Sequence, residues 1–186
     1  MRMKKIMLML ALSSTVVAGS ANAALKDQGH GKVTFKGSII DAPCSIAPES
    51  IDQTVDMGQV ANKILQNGGK SAPRPFYIKL ENCDVSSLEN KTVTATFTGM
   101  QATQNKDHLA IFGTASGASI GLTVFTADGQ KDIKLGEPSA ALQVIDNEST
   151  MNFSAYLQGN NGTKEKPSVI VPGDFTSVAN FTLAYQ

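Results

Sequence analysis

The chain has 186 residues and is formally neutral, with 16 Lys and Arg against 16 Asp and Glu. Arg2, Lys4 and Lys5 fall in the first 23 residues, which hold no acid, so the remainder carries 13 bases against 16 acids. That balance excludes a nucleic-acid binder, which needs a basic surface, and the length suits one domain with a real core.

Residues 1–23 read as a secretory leader. "MRMKK" is basic, "IMLMLALSSTVVAG" is apolar, and "SANA" places Ala21 and Ala23 in the small-x-small pattern of a cleavage site. The apolar run is too short and interrupted for a membrane span. The mature chain is expected to start near Ala24 and to be exported. Residues 24–31, "ALKDQGHG", are polar and hold little that could anchor them to a core.

The rest reads as all-β. "KVTFKGSII" (32–40) carries Val33, Phe35, Ile39 and Ile40. "IDQTVDMGQV" (51–60) alternates Ile51, Val55 and Met57 with polar residues. "PFYIKLENC" (75–83) puts Phe76, Ile78 and Leu80 on one face, and "KTVTATFTGM" (91–100) does the same with Val93, Ala95 and Phe97. "ASIGLTVFTADG" (118–129) gives Ile120, Leu122 and Val124 before a tight-turn signal, and "TMNFSAYLQG" (150–159) gives Met151, Phe153 and Ala155. Strands are predicted over these runs by period-2 alternation and β-branched or aromatic content. One stretch, "GQVANKILQNGG" (58–69), has short helical spacing that Gly68 and Gly69 would stop. "GNNGTKEKP" (159–167) is a polar loop. The final segment, "VANFTLAYQ" (178–186), alternates Phe181, Leu183 and Tyr185 with Asn180, Thr182 and Ala184. Seven or more short strands at this spacing predict an immunoglobulin-like β-sandwich. The closing strand has no successor, and an unpaired apolar edge is a hazard that proteins usually cover.

Cys44 and Cys83 are the only cysteines. In an exported protein they are expected to form one disulfide. A metal site is the alternative, but it needs more ligands, and neither His30 nor His108 sits near a cysteine in sequence. Both histidines read as surface or loop residues. There is no G-x-S-x-G and no H-E-x-x-H, and "GHGKVT" lacks the third glycine of a nucleotide fingerprint. No enzyme, cofactor, metal or nucleic acid is expected.

"GKVTFKG", "DAPCSI" and "DQTVDMGQV", within residues 29–60, together resemble the N-terminal region of major pilin subunits of chaperone–usher pili, the P and type 1 pili above all. "LENCD" (80–84) is similar to the family's second-cysteine strand. Penultimate Tyr185, with Gly173 fourteenth from the end, resembles the family's C-terminal assembly motif. The resemblance implies a sandwich lacking its last strand, completed by a donor strand from another subunit. It implies a periplasmic chaperone that lends a strand first, an outer-membrane usher that exchanges it, and adaptor or tip pilins as further partners in a surface fimbrium that supports cell adhesion. The domains implied are a leader (1–23), a donor arm (24–35) and a pilin domain (36–186). The acceptor groove would take Gly173, Phe175, Phe181, Leu183 and Tyr185, with Gln186 as an anchor for basic chaperone residues. On one face of the arm lie Leu25, Gly29, Gly31, Val33 and Phe35. Asp27 shares that face and breaks the apolar pattern, so the arm either ends nearer Gln28 or holds Asp27 outside the groove. Val33 and Phe35 can equally belong to the subunit's own first strand. The alternatives are a minor adaptor pilin, or a small periplasmic ligand-binding or enzymatic β-domain with its last strand supplied in cis.

Overall fold

The computed structural model describes residues 29–163 and 166–186. The leader with Ala21 and Ala23, and Leu25 of the arm, lie outside the described residues. Two units divide the chain after Ser38. In the first, residues 29–38 form no strand or helix and are exposed. The strand expected over 32–40 is therefore absent: Val33, Phe35, Ile39 and Ile40 are exposed, and a strand needs a partner for its backbone groups.

The second unit begins with β1 (Ser45–Ile46) and a helical turn α1 (Pro48–Ile51), started by Pro48 at its first position. The strand expected over 51–60 is absent: residues 53–60 pair with no strand. A short helix lies where expected, α2 (Asn62–Leu65), ending in a 3-10 turn over Gln66–Gly68. The strands are β2 (Arg74–Cys83), β3 (Thr92–Gly99), β4 (Leu109–Ala110), β5 (Phe112–Gly113), β6 (Ala118–Thr126), β7 (Gly129–Ile133), β8 (Leu142–Gln143), β9 (Asn147–Gly159), β10 (Phe175–Thr176) and β11 (Ala179–Tyr185).

One sheet runs β1-β2-β9-β6-β4, with β7 also on β6. The other runs β11-β3-β8, and β10 pairs with β5. The β6–β7 hairpin turns at Ala127–Asp128, with Gly129 at φ 115 supplying the conformation the tight turn needs. The sheets face each other through aromatic rings. Phe97 of β3 meets Phe153 of β9 edge-on at 5.2 Å and Phe76 of β2 at 6.1 Å, while Phe76 stacks on Phe153 at 5.3 Å. Ile78, Leu80, Val93, Val124 and Met151 fill in around them, fully buried. This is an open, immunoglobulin-like sandwich, as the strand spacing predicts.

Cys44 and Cys83 are disulfide-bonded, with Cα atoms 4.1 Å apart. A bulge makes this possible. In β2 the inward residues are Ile78 and Leu80, so strict alternation would turn Cys83 outward. Asn82, at φ 52, absorbs a register shift against β9 and returns Cys83 to the inner face.

The outer face of β6 is also covered, which is why Ser119–Val124 is buried throughout. Tyr156 lies across Gly121, its cross-strand partner, where a Cβ would collide with the ring. Lys70 Nζ sits 4.4 Å from the Tyr156 ring centre. Of the two readings for His108, loop or surface, the loop holds and the surface does not. His108 is buried, edge-on to Tyr156 at 5.7 Å, with Nδ1 3.1 Å from Ser119 Oγ. Burial, then the Lys70 charge, holds its pKa below the usual imidazole range, against the opposing pull of Asp132 and Asp107. The folded state thus keeps His108 neutral, while an unfolded chain protonates it near about pH 6.5. Its contribution to stability is present above that pH and is lost as pH falls through the lower folded value. The midpoint of thermal unfolding should fall between pH 7 and 5, and His108→Gln should flatten that dependence; an equally steep slope in the variant would count against it.

Candidate functional site

β11 pairs with β3 along its whole length, from Ala179 opposite Gly99 to Tyr185 opposite Val93. Gln186 extends the pairing, exchanging backbone hydrogen bonds with Thr92 at 2.9 and 3.0 Å. Alternation then sets the faces. Ala179, Phe181, Leu183 and Tyr185 are half-buried against the core, while Asn180, Thr182 and Ala184 are exposed. Burial raises the Tyr185 pKa. Among the described residues no strand pairs with the other edge of β11.

Beside that edge lies a cleft of about 1430 Å³. Its floor is the core itself, where Phe76, Ile78, Phe97, Ile120, Leu122 and Leu157 come to the surface of the gap. One wall is residues 170–181, running into β11. The other is residues 50–60. This second wall is held by side chains instead of a ladder. Gln53 Nε2 donates to the Tyr77 carbonyl at 2.8 Å and to the Ser50 carbonyl at 3.2 Å. Ser50 Oγ accepts from the Lys79 backbone N–H at 3.0 Å. Val55, Met57 and Val60 pack inward against the core. The expected alternation therefore holds only over residues 53–57: Ile51 ends α1 and is exposed, while Val55 and Met57 turn inward beside the cleft. Chemically, the cleft offers an apolar trough flanked by unpaired backbone edges. That suits an extended segment with alternate apolar side chains.

Of the residues expected in the acceptor groove, Gly173, Phe175 and Phe181 line the cleft. Leu183 and Tyr185 share the inner face of β11 but lie beyond the cleft lining. Phe175 pairs with Gly113 through β10 and β5. Gly173 is demanded by close approach: at φ 158, a Cβ there would stand 2.7 Å from the Ala115 nitrogen. Gly113 answers it, since a Cβ there would strike Asp174. The two glycines let the 170–176 wall lie against 113–116, where Asp174 O accepts from Thr114 and Ala115 N–H at 3.0 and 3.1 Å. Gly173→Ala should cost about 1–3 kcal/mol by forcing these backbones apart, read as a lower unfolding midpoint in urea. Of the arm residues, Gly29, Gly31, Val33 and Phe35 are exposed in the first unit. Most floor residues were read from sequence as inward strand positions and not as groove lining, and the 113–116 contact was not singled out. Floor positions look like ordinary core residues, and Gly113 looks like any loop glycine.

The family model for fimbrial proteins matches residues 33–186. The chain belongs to the fimbrial protein family. This fimbrial protein is 57% identical over 186 residues to the fimbria A protein of Serratia marcescens, covering 100% of both chains. It is 49% identical to the major MR/P fimbria protein of Proteus mirabilis, again covering 100% of both. Among solved structures it is similar to a chaperone–usher pilus subunit from work on rod uncoiling, with a TM-score of 0.72 and 33% identity over 86% of this chain and 97% of that one. The P pilus rod subunit PapA superposes with a TM-score of 0.66 and 30% identity, covering 78% of this chain and 100% of the other. The resemblance read from the two ends of the sequence thus holds along the fimbrial protein's length.

Proposed function

We propose that this protein is a structural subunit of a chaperone–usher surface pilus, and that it polymerises by lending residues 24–35 of one copy to the cleft of the next. The open edge of β11 over an apolar floor carries this reading. An incoming strand gains backbone hydrogen bonds along that edge, and its alternate apolar side chains fill the trough. Before assembly a periplasmic chaperone would occupy the cleft, and an outer-membrane usher would govern the exchange. Fibre stability would be largely kinetic, because withdrawing a buried strand means reopening the groove. A catalytic reading has little support: buried His108 is taken up by Ser119 and Tyr156, and the cysteines are bonded to each other. The test is electron microscopy of material sheared from producing cells, with unboiled gels of the same sample. Fibres and a ladder of multimers are expected. A stable, fully monomeric protein would overturn the reading.

A further inference from the structure

We infer that an exposed apolar corner made by Met100, Phe112 and Val178 receives the body of the strand-donating copy, through that copy's Ile39 and Ile40. The inference rests on the strand-lending reading above.

Three segments meet at this corner. The β3–β11 ladder ends with Gly99 opposite Ala179, so Met100 and Val178 occupy the next positions outward. The Ala110 N–H donates to the Met100 carbonyl at 2.8 Å, and Ser177 Oγ donates to the Ala110 carbonyl at 2.7 Å. Phe112 pairs with Thr176 beside them. Met100 is 64% exposed, Phe112 52% and Val178 72%. Single exposed apolar residues are ordinary, but three at one junction of strands mark an interaction site.

Strand polarity selects the occupant. Every strand pair in this sandwich is antiparallel. A strand completing the sheet beside β11 would continue that pattern, running from the Tyr185 end toward the Ala179 end. Its C-terminal end then leaves the cleft at Val178, which itself borders the cleft. In the donating copy the arm continues into "KGSII", whose Ile39 and Ile40 are exposed, at 103% and 55%. Ile39 lies four positions beyond Phe35, a reach of at most about 14 Å. The isoleucines therefore emerge at the corner, where each side can cover the other's apolar surface.

The experiment uses full-length fibres. Ile39→Cys combined with Val178→Cys, and Ile40→Cys combined with Met100→Cys, should give an oxidised ladder that survives boiling without reductant. A disulfide formed within one copy would give no ladder. Met100→Asp with Phe112→Asp, both outside the cleft lining, should speed fibre dissociation in denaturant about tenfold, as loss of one strong interface contact does through the off-rate. A synthetic peptide of residues 24–35 lacks both isoleucines and should block reassembly of dissociated wild-type and corner-variant subunits equally. If the peptide blocks reassembly but no ladder forms and dissociation is unchanged, the corner is not the docking site. If the peptide fails to block wild-type reassembly, the strand-lending reading fails and this inference falls with it.

Discussion

Deleting residues 24–35 is expected to abolish fibres while leaving a subunit that still folds around a strand supplied from outside. Residues 39–186 contain the whole described core, including the Phe76–Phe97–Phe153 cluster and the disulfide. The deletion therefore leaves every residue of that core in place. It removes the segment proposed to fill the cleft. Burying Leu25, Val33 and Phe35 would contribute about 1.5–3 kcal/mol each, and each ladder hydrogen bond about 1 kcal/mol. The expected result is a normal yield of chaperone-bound subunit with no fibres in sheared material and no ladder in unboiled gels. Long fibres from the truncated chain would show that the donor lies elsewhere. Adding back a peptide of residues 24–35 should stabilise the truncated subunit without restoring polymers, because a free peptide carries no second subunit.

How much of this was legible in the sequence depends on where each backbone finds its partner. β2, β3, β6, β9 and β11 were readable because each carries a long alternation and packs one face on the core. Residues 32–40 and 51–60 also space apolar side chains as a strand would but form none, since the pattern records which side chains seek burial and says nothing about where a backbone finds a pairing edge. The two-residue strands β1, β4, β5, β8 and β10 are too short to carry a period; they exist through what lies opposite them. Asn82 gives no sign that it will bulge and turn Cys83 inward. His108 is in a loop, as its polar neighbours suggest, but its burial was not legible, because Tyr156 and Ser119 cover it from the β6–β9 pair. At the site, the parity of Phe181, Leu183 and Tyr185 was visible from sequence. The opposite wall and the paired glycines Gly113 and Gly173 were not, because each depends on segments far apart in the chain, residues 50–60 against 170–181 and Gly113 against Gly173.

Replacing Cys44 or Cys83 by Ser should destabilise the subunit by about 2–5 kcal/mol. The bridge spans 39 residues, and the chain-entropy model gives about 4 kcal/mol for a loop of that size. For a domain of this length that is a fall in unfolding temperature of about 10 °C. The effect should reach the cleft, because of what the bridge holds. β1 has only two residues paired with β2, Ser45 opposite Glu81 and Ile46 opposite Leu80. Apart from the bridge, the chain just before β1 is tied to the end of β2 by one backbone hydrogen bond, Asp84 N–H to Pro43 O at 2.9 Å. The wall at 50–60 starts four residues after Ile46 and has no ladder of its own. Cutting the bridge frees the start of that wall and leaves Gln53 and Ser50 to hold it. The variant should therefore lose affinity for a 24–35 peptide by more than a core substitution of equal stability cost, such as Leu135→Ala at a position outside the cleft lining. Peptide-binding curves for the two variants, beside their urea midpoints, separate a global loss from a local one. Equal losses of affinity would mean that the bridge stabilises the fold without shaping the cleft.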